Sequence, residues 1–238
     1  MSSRLRLGKI DIEVVQKDIR NVHLSVHPPA GRVRIAAPAH MKLDTIRVFA
    51  ISRLDWIKQQ QAKLRKQERE TPRDYVDRES HYVWGKRYLL KVIGQDAAPR
   101  VELTPRTLRL HVRPGSDRQQ KRLILDRWYR QQLHEVIPPL LAQWEPVVGV
   151  KVARYFVQQM KTKWGSCNSA KGNIRLNTEL AKKPPQCIEY ILVHELTHLL
   201  EPSHNARFVL LMDQFMPDWR ARRDLVNQLP VRHEEWDY

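Results

Sequence analysis

Apolar and polar residues alternate through residues 11–37. The apolar members lie on either side of the sequence PPAG at 28–31, and they are Val22, Leu24, Val26, Val33, Ile35 and Ala37. A period of two puts successive apolar side chains on one face of a strand, and a cluster of proline and glycine favours a tight connection. The pattern therefore predicts a β-hairpin in this part of the chain.

The period changes to that of a helix after Leu43. Apolar residues then recur with helical spacing, at Ile46, Val48, Phe49, Leu54, Ile57 and Leu64. This spacing predicts one amphipathic helix of about five to seven turns. The helix is expected to give way to the charged sequence that ends at Thr71-Pro72.

Strand patterns return over residues 81–93 and 100–112. Gly85-Lys86 supplies a turn in the first of these segments, which is predicted to be a second hairpin. A helix is expected over 118–144, with its inward apolar residues at Leu123, Trp128, Leu133, Val136 and Ile137. Pro138-Pro139 is expected to kink or break this helix, because proline lacks the N–H that the helical hydrogen bond needs.

Two more strands and three helices are predicted beyond residue 150. The strands lie near Val152–Val157 and at IRLN (174–177), on either side of the loop CNSAKGN. A helix should open at Pro184-Pro185, run to about Glu201 and end before Pro202. The last two helices are shorter, the first capped by Ser203 and the second starting at Pro217 and containing Trp219, Leu225 and Leu229.

The mixture of strands and helices predicts an α+β fold. A soft boundary near the sequence RPGSD separates an N-terminal α+β region, residues 1–117, from a C-terminal domain, residues 118–238. The two regions can equally share one core as a single compact unit. No internal repeat is apparent in the sequence.

The composition is ordinary for a soluble globular protein: 238 residues, of which 42% are hydrophobic and 29% charged. No run of eighteen or more apolar residues occurs, so no transmembrane helix is expected. The opening sequence, MSSRLRLGKIDIEVV, lacks the apolar segment of a secretory signal. Two cysteines, Cys167 and Cys187, do not make a disulfide framework, and a cytoplasmic location is expected.

Charge is the unusual feature of the composition. The formal net charge is +16, and much of it lies in residues 58–73 and 106–130. A chain with this excess attracts polyanions such as nucleic acid or nucleotides. The alternative is that both stretches are simply the solvated faces of helices and strands. No membrane partner is expected.

The sequence VHELTHLLEPSHNARF at 193–208 carries the candidate chemistry. His194 and His198 are four residues apart, so on a helix their rings project from one side and can reach one ion. Pro202 ends the helix, which allows the chain to return with His204 as a third nitrogen ligand. Three such ligands leave the fourth tetrahedral position open, as in a catalytic zinc site.

Glu195 directly follows the first of these histidines. At that position it flanks the metal without binding it, and it is suited to act as the general base that takes a proton from water. The alternative is a helix with two surface histidines and an unrelated third. Ligand histidines usually donate their other nitrogen to a carboxylate or carbonyl, and Glu179, Glu201 and Asp213 are candidates for that part.

Two segments resemble the YgjP-like metallopeptidase family, which is related to SprT-like domains. They are KTKWGSCNSAKGNIRLNTEL and IEYILVHELTHLLEPSHNARF. The matching positions are Trp164, Gly165, Ser166, Cys167, Leu176, Asn177, His194, Glu195, His198, His204, Arg207 and Phe208. The turn reads PSHN here, where the family usually has asparagine before the histidine. The helix with DWIKQQQAKL (55–64) also resembles this family, so the likeness extends over most of the chain.

The sequence predicts an N-terminal hairpin and sheet region with a long helix, and the resemblance implies a C-terminal zincin-like domain, in which a short sheet packs on the active-site helix. It implies one zinc ion per chain bound by His194, His198 and His204, with Glu195 as general base. Candidates for the substrate cleft are Trp164, Ser166, Asn177 and Arg207. By analogy with zincins, strand 174–177 is expected at the edge of the sheet, where an extended peptide can add to it.

Three functions are compatible with these residues. A zinc-dependent peptidase that uses a metal-activated water is the first. The second is a metal-dependent nucleoside triphosphate pyrophosphatase acting on UTP, which members resembling this family suggest and which the positive charge would favour. The third is a nucleic-acid-associated protease or binder, although a pure binder would give Glu195 no task.

Overall fold

The structure is a computed structural model that describes residues 2–27, 31–66, 73–160 and 163–228. The chain divides into two compact units at residue 70, so the described parts of the first unit lie within 2–66 and those of the second within 73–228. The boundary predicted between residues 117 and 118 falls inside the second unit, at the start of its longest helix.

The first unit is a four-stranded sheet followed by two helices. Its elements are β1 (Ser2–Leu7), β2 (Ile10–Lys17), β3 (His23–His27), β4 (Arg32–Pro38), α1 (Leu43–Ser52) and α2 (Leu54–Lys66). The strand order is β1-β2-β4-β3, in which β2 and β4 are parallel and both outer pairs are antiparallel. The predicted hairpin is confirmed: Leu24 lies opposite Ile35 and Val26 opposite Val33.

The long helix predicted after Leu43 is interrupted. Arg53 leaves the helical conformation and its N–H bonds to the carbonyl of Ala50, so a new helix starts at Leu54. Ile46, Ala50 and Ile57 are nevertheless all buried in the core of this unit. The apolar period therefore continues across the break, and no proline or glycine marks it. The expected end of the helix at Thr71-Pro72 lies outside the described residues.

The second unit begins with another four-stranded sheet. Its strands are β5 (Ser80–Val83), β6 (Lys86–Gly94), β7 (Arg100–Leu103) and β8 (Thr107–Val112). The hairpin predicted over 81–93 is confirmed, with Val83 opposite Lys86 across Trp84 and Gly85. Both turn residues have positive φ, and their N–H groups donate to the carbonyls of Ala181 and Lys182.

The two four-stranded sheets have the same topology. The second is ordered β5-β6-β8-β7, with β6 and β8 parallel and both outer pairs antiparallel, as in the first. Each sheet is followed in the chain by helix. The sequence gives no sign of this repetition because many different side chains satisfy the same alternating pattern.

Helix α3 (Arg118–Val148) starts at a capping box formed by Asp117 and Gln120 and ends at Gly149, which has φ 77°. It continues through Pro138 and Pro139, so the predicted break is wrong. Both prolines are exposed, while the residues that hold the helix to the core are Leu125, Tyr129, Leu133, Ile137 and Leu141. Leu133 and Ile137 face inward as predicted; Leu123 does not and is 55% exposed.

The third sheet contains β9 (Arg154–Gln158), β10 (Gly165–Asn168) and β11 (Asn173–Asn177) in the order β10-β11-β9. Strand β11 contains the predicted 174–177 strand, but it is the middle strand, paired on both sides. The expectation that it forms the edge is wrong, because β11 pairs with β9 on one side and with β10 on the other. Strands β9 and β10 form the two edges of this sheet.

Helices α4 (Pro185–Thr197), α5 (Ala206–Phe215) and α6 (Trp219–Gln228) complete the second unit. Helix α4 ends earlier than predicted, because N–H groups bond to carbonyls three residues back at Leu199 and Leu200. The cap of α5 is Asn205 rather than Ser203. Of the apolar residues predicted for the last helix, Trp219 is buried, Leu225 packs against the core, and Leu229 lies outside the described residues.

The core of the second unit joins the third sheet to α4. Ile174 and Leu176 of β11 share one buried cluster with Ile188, Leu192 and Leu196 of α4. The α+β fold class is thus confirmed, with a short sheet packed on the helix that carries the first two histidines. None of the helices within the described ranges is long and apolar enough to cross a membrane.

Candidate metal centre

Three imidazole rings converge where α4 ends. His194 lies in the last turn of α4, His198 is its C-cap residue, and His204 lies in the turn before α5. The Nε2 atom of His204 is 3.0 Å from Nε2 of His194 and 3.1 Å from Nε2 of His198. These are the residue types and the grouping that can hold one metal ion.

Backbone geometry orients His198. Its Nδ1 lies 3.0 Å from the backbone carbonyl oxygen of Glu201, which can only accept a hydrogen bond. Nδ1 therefore carries the proton, and the lone pair of Nε2 points toward the other two rings. A carbonyl partner of this kind fixes the ring of a metal-ligating histidine. The chain reaches Glu201 because α4 ends with tight turns.

The sequence offers three acidic residues, Glu179, Glu201 and Asp213, as partners that orient the ligand histidines. Glu201 serves through its main-chain oxygen rather than its carboxylate. The carboxylate of Glu179 bonds to Lys182 at 2.8 Å, and that of Asp213 accepts from Trp219 and Arg220.

The ring of Phe208 contacts all three histidine rings. The centroid of its ring lies 5.0 Å from that of His194, 4.6 Å from that of His198 and 4.8 Å from that of His204. Asn205 holds Phe208 in place, because its side-chain oxygen accepts the Phe208 N–H and caps α5. The first turn of α5 thus positions the aromatic ring that contacts all three histidines.

His194 and His198 are neutral at neutral pH. Burial, with the neighbouring rings of His198 and His204, lowers the pKa of His194 to about 3. Burial also lowers the pKa of His198, against the raising effect of its bond to Glu201. Neutral imidazole is the form that binds a metal ion. Nδ1 of His194 is buried and has no hydrogen-bond partner among the described residues.

Glu195 lies beside the histidines with its carboxyl group against β10. The side chain is 4% exposed, and Oε2 has no hydrogen-bond partner within the described parts of the chain. A Cβ atom on Gly165 would lie 2.5 Å from Oε1 of Glu195. Only glycine fits at position 165 while the carboxyl group occupies this place, so the glycine of WGSC is explained by contact rather than by backbone conformation.

Burial raises the pKa of the Glu195 carboxyl to about 8, and the positive charge of Lys163 opposes this. A cation held by the histidines would favour the ionised carboxylate, since an adjacent positive charge stabilises the charged form of an acid. The carboxyl group is therefore held where a bound cation makes it a base.

A cleft of about 460 Å³ opens over this centre. One wall is β10 and the residues around it, and the other is α4 with the turn that follows. Its lining includes all three histidines and Glu195, together with Lys163, Trp164, Gly165, Ser166, Cys167, Ser169, Tyr190, Ile191 and Pro202. The edge strand β10 of the third sheet thus runs along the same cleft as the histidines.

Of the four residues expected in the cleft, Trp164 and Ser166 line it. Asn177 is 4% exposed and does not. Its amide donates to the carbonyls of Met160 and Lys163 and so anchors the chain that leads into β10. Arg207 is exposed on the first turn of α5 and is also absent from the lining.

Several residues of the site were not singled out from the sequence. Tyr190 lies one turn before His194, with its ring edge-on to that histidine and stacked on Trp219. Helical spacing alone relates Tyr190 to His194, and it does not separate a cleft residue from a core residue. Cys167 is half-buried in the cleft, and burial together with the charge of Glu195 raises the pKa of its thiol to about 11.

Comparison with known proteins agrees with this geometry. Residues 20–229 match the family model described as "YgjP-like, metallopeptidase domain". The class of protein is therefore a metallopeptidase. The match extends over most of the chain, and the chain belongs to the YgjP-like family.

One solved structure and the curated proteins complete the comparison. The crystal structure of the metallopeptidase zymogen of Pyrococcus abyssi abylysin is similar with a TM-score of 0.36 and 20% sequence identity, over 38% of this chain and 91% of that chain. A search of curated proteins gave no match.

Proposed function

We propose that this chain is a zinc-dependent peptidase in which His194, His198 and His204 hold the ion and Glu195 is the general base. One observation carries the proposal: three imidazole nitrogens converge beside a buried carboxyl group whose Oε2 has no hydrogen-bond partner among the described residues. Such unpaired buried groups are costly unless a ligand or water completes them.

The donor set suits zinc. Three histidine nitrogens leave the fourth tetrahedral position open, which is the arrangement of catalytic rather than structural sites. When bound, zinc polarises the carbonyl oxygen of the substrate and lowers the pKa of water. Glu195 accepts the proton of the attacking water and delivers it to the leaving amine. Gly165 keeps the Glu195 carboxyl in position for both transfers.

The edge of β10 supplies the substrate-binding surface in this proposal. Among the residues that the structure describes, β10 pairs only with β11, and it lines the cleft through Gly165, Ser166 and Cys167. A peptide in extended conformation can add to such an edge through main-chain hydrogen bonds, which do not depend on its sequence. An unfolded segment of protein is therefore the substrate that the cleft fits.

Metal analysis and turnover test the two parts separately. Purified protein should contain one zinc per chain, and His194→Ala should lose it while His23→Ala, an exposed histidine of the first unit, keeps it. Glu195→Gln should retain zinc and lose cleavage of an unfolded protein substrate. Full cleavage by Glu195→Gln, or zinc retained by His194→Ala, would contradict the proposal.

Nucleotide hydrolysis remains the second candidate because of Lys163. This lysine is exposed at the cleft, and its positive charge lowers the pKa of Glu195 and His198. A single cation is a weak counterpart to a triphosphate, which is usually held by several cations or a ring of N–H groups. We therefore rank the peptidase first.

A parallel assay separates the two candidates. Unfolded protein and nucleoside triphosphates are given to the same zinc-loaded preparation, with Glu195→Gln as the control for contaminating enzymes. Release of pyrophosphate from UTP without any peptide cleavage, lost in the control variant, would replace the peptidase with the nucleotide hydrolase. Cleavage of protein alone would exclude the nucleotide reaction.

A further inference from the structure

The outer face of the β5–β8 sheet is a second surface of the second unit, built from different elements than the cleft. Alternation along the strands puts Val83, Leu90, Leu108 and Leu110 in the core. The residues between them point to the opposite face. The positive, aromatic and apolar residues of that outer face include Tyr82, Arg87, Leu89, Lys91, Arg100 and Arg109.

The strand register brings these outward residues together. Tyr82 lies opposite Arg87, and Lys91 lies opposite Arg109. Arg100 and Glu102 of β7 lie opposite His111 and Arg109 of β8. The positive side chains therefore lie on one face of the three neighbouring strands β6, β8 and β7, beside Tyr82 of β5.

The positive charge of this face is only partly neutralised. Glu102, the one acidic residue in the four strands, lies 3.5 Å from Arg109 and 3.5 Å from His111. Arg87, Lys91 and Arg100 form no ion pair with any residue that the structure describes. Three cations are thus available to a negatively charged ligand.

The same face of the first unit's sheet is different. There Glu13 lies 3.6 Å from Arg32 and 3.9 Å from Arg34, and Asp11 lies 3.9 Å from Arg6. Three of the four arginines on that face, Arg6, Arg32 and Arg34, are ion-paired, while Arg4 has no ion pair among the described residues. The outer face of the β5–β8 sheet thus leaves three cations without an ion pair among the described residues, against one arginine on this face of the first sheet.

Apolar side chains lie among these cations. Tyr82 is 36% exposed and Leu89 is 40% exposed, although neighbouring positions on the same strands are fully buried. A flat sheet face that combines cations with an exposed aromatic ring suits nucleobases, which stack on aromatic rings while cations contact the phosphates. Duplex nucleic acid offers no unstacked bases to such a face.

We propose that the outer face of the β5–β8 sheet binds single-stranded nucleic acid. Arg87, Lys91 and Arg100 contact phosphates, and Tyr82 and Leu89 contact bases. The proposal is independent of the peptidase activity, because no residue of this face lines the cleft.

Fluorescence anisotropy with a labelled single-stranded oligonucleotide tests it on the full chain over a series of salt concentrations. The triple variant R87A/K91A/R100A should bind at least about tenfold more weakly, and its log–log salt slope should be lower by about 2, from three lost phosphate contacts. The control variant K121A/R127A/R130A removes three positive charges from α3 and should bind like the wild type.

Tyr82→Ala should weaken binding about fivefold or more, and Tyr82→Phe should not, since stacking needs only the ring. Zinc content and thermal unfolding serve to show that each variant is folded. Equal loss of affinity in both triple variants would mean that net charge acts without a defined surface. Equal affinity for duplex or for polyglutamate would likewise overturn the proposal.

Discussion

Two groups of histidine and glutamate are buried in the second unit, and they differ in how their polar atoms are paired. His81 Nε2 lies 2.9 Å from Glu79 Oε1, and the other Glu79 oxygen accepts the N–H groups of Asp74 and Tyr75. In the metal centre, Nδ1 of His194 and Oε2 of Glu195 have no such partner among the described residues. Oε1 of Glu79 and Nε2 of His81 also lack a hydrogen bond of good geometry, but they lie 2.9 Å from each other, whereas no such contact joins Nδ1 of His194 or Oε2 of Glu195 to another described residue. The residue types alone therefore do not distinguish the two groups, and the way in which they pair does.

Replacing the glutamate of each group gives the sharpest contrast. Glu195→Gln should lower turnover at least about a hundredfold, the usual contribution of a general base, with zinc retained. Glu79→Gln should leave the turnover of folded protein unchanged. Peptide cleavage measured at matched zinc content tests both, and comparable losses in the two variants would remove the distinction.

Gly165→Ala tests the position of the Glu195 carboxyl without changing any histidine. Its Cβ would overlap the Glu195 carboxyl and displace it, and a shift of about 1 Å in a catalytic group can cost about a hundredfold in rate. Zinc content should not change. Gly94→Ala is the matched control, because a Cβ at position 94 meets no atom within 4 Å. Wild-type turnover in Gly165→Ala would show that the carboxyl can move freely.

Phe208→Ala should affect both stability and metal binding. The ring is 2% exposed, and loss of a buried phenylalanine usually costs about 3–5 kcal/mol. Loss of the Phe208 ring also removes a contact from each of the three imidazoles, so zinc affinity should fall. Chemical denaturation and competition with a zinc chelator measure the two effects. Phe208→Leu should restore most of the stability but less of the affinity, because leucine does not reproduce the ring contacts with all three histidines.

Glu79→Gln should destabilise the fold by about 1–3 kcal/mol, the cost of weakening a buried hydrogen-bonded partner. Burial alone would raise the pKa of Glu79, but the bonds from His81 and from two backbone N–H groups lower it. Its stabilising effect is therefore present above the unfolded pKa and is lost as the pH falls through the folded value. Urea unfolding at neutral pH gives the difference; no change would mean that the pairing contributes nothing.

The smallest predicted effect concerns the pH dependence of stability. Burial lowers the pKa of His81, the bond to Glu79 raises it, and the charges of Arg73 and Lys182 lower it further. The unfolded chain then binds more protons than the folded one below about pH 6.5, so this residue weakens the fold as the pH falls. His81→Gln should show a smaller loss of unfolding free energy than wild type between about pH 7 and pH 5. An equal loss in both proteins would contradict this.

Much of this fold follows from local pattern. Alternation predicts the strands on both sides of residues 28–31 and of Gly85, and spacing alone groups His194, Glu195 and His198 on one helix. His204 could be included because Pro202 makes a helix end before it. These signals are local in the sequence, and the physics that they reflect acts over one or two turns.

Other features depend on contacts that the sequence does not display. Nothing at Arg53 marks the end of α1, and the packing of Leu133 and Ile137 carries α3 through its prolines. Strand β11 is not an edge of the third sheet because it pairs with β9 as well as with β10. The role of Gly165 depends on a carboxyl group that is distant in sequence. Asn177 matches the family motif, yet only the structure reveals that its amide bonds hold a loop.

The two four-stranded sheets share one strand order, so the same arrangement of strands occurs twice in this chain. In each case two hairpins lie side by side through a parallel central pair, and helix follows. The three histidines, Glu195 and the edge strand β10 all belong to the segment that follows the second of these sheets. The candidate metal centre therefore lies outside the repeated strand arrangement, so changes in either four-stranded sheet leave the sequence of the centre untouched.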